Sequence, residues 1–117
     1  MDMNQQPTQY HLIFKLELLR EKIKATTDKD EIMAIARQAC DLAAPVPIDP
    51  SFGYKIQGKE KTLTLLSYEI RSYEKSNSEI EVVQFQLSST ILMLMLQFIQ
   101  GSLEDIQQIL SEFKKVA

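Results

Sequence analysis

The side chains best suited to covalent or acid–base chemistry are few and stand apart from one another. Cys40 is the one thiol and His11 the one imidazole in 117 residues. A cysteine nucleophile needs a base at hand, and the helix that carries Cys40 supplies Arg37 and Asp41 but no histidine. Cys40 therefore reads as a small core residue. His11 has Lys15 on the next helical turn and no second histidine with which to complete a zinc or di-iron motif. We expect it on the surface, and we expect no metal and no cofactor.

The acidic residues come in groups: Asp28, Asp30 and Glu31, then Glu79 and Glu81, then Glu104 and Asp105. Each group falls at an expected helix start, where carboxylates offset the positive end of the helix dipole. Capping accounts for them without catalysis, and an enzyme would require groups from different helices to converge. Nearest to a phosphate loop is Gly53-Tyr54-Lys55-Ile56-Gln57-Gly58-Lys59, but its spacing is wrong and no hydroxyl follows the lysine. Nucleotide hydrolysis by that route is excluded.

Two features remain that suit binding. Phe52, Tyr54, Lys55, Lys59 and Lys61 combine aromatic anchors with the densest local positive charge, a mixture fitted to an acidic or peptide partner. Met93 and Met95 lie in a very apolar stretch, where flexible thioethers can make an adaptable contact surface.

Composition bounds the rest: 44% hydrophobic and 25% charged residues, with a net charge of −3, describe one small folded domain rather than a disordered or repetitive chain. The negative balance disfavours nucleic acid. A lone cysteine fits a reducing compartment, and the opening Met-Asp-Met-Asn-Gln-Gln-Pro has neither the basic nor the apolar region of a signal peptide. The expectation is a cytoplasmic protein. The most apolar run, Ile91 to Ile99, is shorter than the roughly 20 residues of a membrane span, so no membrane association is expected.

The elements that position these residues follow from periodicity. Leu12, Leu16, Leu19 and Ile23 make one helical stripe over 8–25. Asp28, with Glu31 three residues on, opens a second helix over 28–43, whose inward alanines 36 and 39 allow a close neighbour. Pro45, Pro47 and Pro50 then forbid helix, leaving a long proline-rich loop over 44–59 with a short extended piece at 54–56. Leu63, Leu66, Ile70 and Tyr73 mark a third helix over 60–75. Ser78 and Glu81 supply a capping pattern for a fourth over 79–100. There, the alternation Val83-Gln84-Phe85-Gln86-Leu87 competes as a strand, but Ile80, Val83, Leu87, Ile91, Leu94 and Phe98 sustain the helical period. Gly101 and Ser102 make a tight hinge into a fifth helix over 103–116, with Leu103, Ile106, Leu110 and Phe113 inward.

The expected fold is all-α: a single compact bundle of about five helices over residues 1–117, the first seven disordered, helix four innermost, and the proline-rich loop between helices two and three. The expected function is that of a noncatalytic protein-interaction module: an adaptor, regulator, inhibitor or immunity-type protein whose partner is another protein. The competing readings are a small enzyme with converging carboxylates and a nucleic-acid-associated bundle using the Lys55–Lys61 patch. Helix four carries more apolar side chains than a short chain can surround, so Val82, Leu92, Met95 and Ile99 are expected to form a strip that pairs two copies into a homodimer.

Overall fold

The computed structural model of the chain describes residues 5–48, 50, 53–99 and 111, with side chains from residue 11 onward. Within them the protein is all-helical: α1 (Gln5–Ala25), α2 (Lys29–Ala43), α3 (Gly53–Lys75) and α4 (Ile80–Phe98). The expected fifth helix lies outside the described residues. Short connections after α1 and α3 turn each helix back on the next. In space α1 packs on α2 and α4, and α3 on α2 and α4, with a thinner diagonal contact between α2 and α4.

The inward residues are those expected from the 3.6-residue period. Leu12, Leu16, Leu19 and Ile23 of α1 meet Ile32, Met33, Ala36 and Ala39 of α2, Leu66 and Ile70 of α3, and Val83, Leu87, Ile91, Leu94 and Phe98 of α4 in one continuous core. The strand-like run at 83–87 is helical, because its Val83 and Leu87 belong to this stripe. The buried hydroxyls of Thr62 and Ser88 are each satisfied within their own helix. Thr62 donates to the Gly58 carbonyl at 2.7 Å and Ser88 to that of Phe85 at 3.1 Å.

Several boundaries differ from expectation, each for a physical reason. α1 begins at Gln5 rather than residue 8, since Pro7 then sits in the first turn, where no amide partner is needed. The assignment of 1–7 to a disordered segment is corrected for residues 5–7. α2 starts as expected, with Asp28 extended and its carboxylate accepting from the Asp30 amide at 3.1 Å. The capping expected at Ser78 does not form: Glu79 is the cap residue without a side-chain bond, and Ser78 instead shares a 2.9 Å hydroxyl contact with Ser76.

The largest correction is α3, which starts at Gly53 rather than Glu60, so that 54–56 is helical and the proline-rich connection is shortened to 44–52. Its first three turns hide their period because several of the side chains turned inward there are not apolar: Lys55 and Lys59 are half-buried and Thr62 is buried. Gly58, in the same stretch, counts against helix by propensity, yet it lies where a Cβ would collide with the terminal amide of Gln97 on α4. That amide is the end of a long, flexible side chain and can swing aside. Gly58→Ala is therefore expected to stabilise the protein by about 0.5–1 kcal/mol in urea unfolding, whereas a loss of stability would mean that the α3–α4 approach needs the glycine.

Candidate functional site

The aromatic–lysine cluster is built differently from a binding patch. Pro50 precedes α3, and the helix then sets Lys55 and Lys59, four residues apart, on one face and Tyr54 and Lys61, seven apart, on another. Phe52 lies outside the described residues. Tyr54 is 69% exposed, with the Lys55 ammonium 5.9 Å from its ring centre.

Lys55 and Lys59 themselves turn towards the bundle. Lys55 Nζ donates to the Leu96 carbonyl at 2.9 Å, near the end of α4. Lys59 Nζ donates to the carbonyls of Ala44 at 2.9 Å and Val46 at 2.6 Å, just past the end of α2, and lies 5.6 Å from the Phe98 ring centre. Burial lowers the Lys59 pKa from its ordinary value, with Glu60 opposing. Of the three lysines only Lys61 is exposed. The cluster is thus not one surface: two of its cations hold helix ends that expose unpaired carbonyls.

The other chemically suggestive residues stay apart as well. Among the described residues no three His, Cys, Asp or Glu side chains gather closely enough to hold a metal ion. His11 is exposed. Cys40 is half-buried, and burial pushes its thiol pKa up against the opposing effect of a hydrogen bond to Ser67, which keeps it protonated and a poor nucleophile at neutral pH.

The polar pair that sequence reading missed is Glu69 on α3 with Thr90 on α4. Thr90 Oγ1 lies 2.7 Å from Glu69 Oε1 and 3.0 Å from the Gln86 carbonyl. Burial raises the Glu69 pKa, and the Thr90 bond only partly offsets that; Tyr73, beside it, is raised by burial and by the Glu69 charge. Nothing in the sequence links two residues that lie 21 positions apart.

α4 carries exposed apolar side chains, but they are not the four expected. Met95 is 1% exposed and Ile99 is buried too, so neither belongs to an outer surface, and Met95→Glu would disrupt the core rather than part a dimer. Val82 and Leu92 are exposed, and Phe85, Met93 and Leu96 join them. Phe85, at 70%, is the most exposed of the large apolar side chains among the described residues. By length and composition alone α4 is long and apolar enough to cross a membrane, although its inner face is packed in the bundle. Among the described residues, helix four is therefore not enclosed on all sides: one face fills the core and the opposite face is largely exposed.

No family model, no curated protein and no solved structure matches the chain.

The Glu69 carboxyl gives this region a signed pH response. Its folded pKa is raised, so the folded state binds the proton more readily than the unfolded one, and stability rises as pH falls from neutral towards about 4.3. Glu69→Gln retains an acceptor for Thr90 without the charge. It should stabilise the protein at pH 7.5 by under about 1 kcal/mol, given solvent screening, and lose that advantage at pH 4.5. An equal difference at both pH values in urea unfolding would contradict the assignment.

Proposed function

We propose that the protein is a noncatalytic protein-interaction module that works through the outer face of α4. The observation that carries this reading is the exposed row of Val82, Phe85, Leu92, Met93 and Leu96 on a helix whose other face is already committed to the core. An exposed phenylalanine flanked by aliphatic side chains costs solubility. Large apolar side chains of this kind are the usual anchors of protein contacts. The adaptor, regulator, inhibitor and immunity-type roles all draw on such a face, and they differ only in what it contacts.

The Lys55–Lys61 cluster supports the reading less well, because Lys55 and Lys59 are engaged by backbone carbonyls. The same engagement removes support from a phosphate-binding role for the patch.

A photoreactive phenylalanine analogue placed at residue 85, and separately at Lys61 as a control, tests the proposal in cells. Position 85 is expected to give a discrete crosslinked protein product that position 61 does not give. The absence of any product from position 85, or equal labelling at both sites, would contradict it.

A further inference from the structure

The outer face of α4 is nearly symmetric along its length. Val82, Phe85, Ser89, Leu92 and Leu96 follow one another at steps of 3, 4, 3 and 4 residues, the spacing of a helix–helix seam. Ser89, half-buried and small, stands at the centre. Val82 and Leu96 lie seven residues to either side of it, with Phe85 four before and Leu92 three after. Reversing the helix about Ser89 returns a closely similar row of apolar side chains. No charged residue occurs between Glu81 and Glu104, so the seam offers a charged partner no complementary group, and two copies of the face meet there without repulsion.

From this geometry we propose that the occupant of the face is a second copy of this chain, paired antiparallel about a twofold axis beside Ser89. The proposal rests on the reading of α4 as the contact face and names what it contacts. The axis sets Val82 of one protomer against Leu96 of its partner and Phe85 against Leu92 and Met93, an isologous contact in which every pairing occurs twice. Ser89 at the crossing permits the close approach that small residues allow.

The seam is about 21 Å long and one helix diameter wide, less than the roughly 800 Å² per partner of a standard interface. The pair is accordingly weak, with dissociation in the micromolar range. A bilayer is the less favoured occupant, because the strip is flanked by Glu81 rather than by the lysine, arginine or tryptophan anchors of an interfacial helix.

Cysteine crosslinking of the full chain in a Cys40→Ala background tests the register, and sedimentation of the unmodified protein tests the pairing itself. At about 100 µM the unmodified protein should sediment as a dimer, and Phe85→Glu, at an exposed position, should weaken pairing at least tenfold, or about 1.4 kcal/mol, with helicity unchanged. Ser89→Cys should form a disulfide with itself. Val82→Cys should not, since its two copies stand about 21 Å apart along the seam, but it should link to Leu96→Cys when the two variants are mixed. A monomer in sedimentation, self-linking of Val82→Cys, or flotation with phosphatidylcholine–phosphatidylserine vesicles would each overturn the proposal. A crosslink from residue 85 to a different protein would overturn self-pairing and leave the interaction-module reading standing.

Discussion

An α-helix ends in four carbonyls that have no amide to receive, at the negative end of its dipole. In this protein every one of the four described helices has a carbonyl at or just beyond its C-terminal end bound by a long side chain from a neighbouring helix. Gln84 of α4 donates to Lys24 and Thr26 at the end of α1, at 3.3 and 2.6 Å. Lys59 of α3 holds the end of α2, Lys29 of α2 reaches Ser76 beyond the end of α3 at 2.6 Å, and Lys55 of α3 holds α4. Each donor sits near the start of its own helix, so these hydrogen bonds also fix antiparallel register between neighbours. Three of the four donors are cations, the sign that a helix C-terminus favours.

This arrangement explains why the aromatic–lysine cluster is mostly structural. A lysine stem can lie along apolar surface while its ammonium reaches past to a polar group, and Lys59 does so beside Phe98 on its way to Ala44 and Val46. The proline segment is held at its start by the same ammonium, with Ile48 buried behind it. Desolvating Lys59 opposes its charge, but the two carbonyls and the aromatic face offset that cost. With α1 and α3 on its flanks and α2 across the core, α4 keeps one face inside and one outside.

What was legible in the sequence was whatever depended on apolar period. The stripes Leu12–Ile23 and Val83–Phe98 specify two helices and their inward faces, and Asp28 marks the start of a third. The onset of α3 was not legible, because Lys55, Lys59 and Thr62 occupy inward positions where a hydrophobic pattern expects Leu or Ile. The division of α4 into two faces was half legible. Val82 and Leu92 were separable from the core stripe, but Met95 was not, since a helix apolar all round gives no polar residue from which to tell outside from inside. Contacts between distant residues, such as Thr90 with Glu69, arise only once α3 and α4 are packed.

Side chains crossing between helices hold the helix ends together. Urea unfolding of the triple variant Lys29→Met, Lys55→Met, Lys59→Met measures their contribution beside Lys61→Met, which leaves all three lysine–carbonyl links in place. At about 1 kcal/mol for each lysine link lost, the triple variant should be destabilised by roughly 2–4 kcal/mol while Lys61→Met stays within about 0.5 kcal/mol of the unmodified protein. If the triple variant were as stable as Lys61→Met, apolar packing alone would hold the bundle and the claim would be wrong.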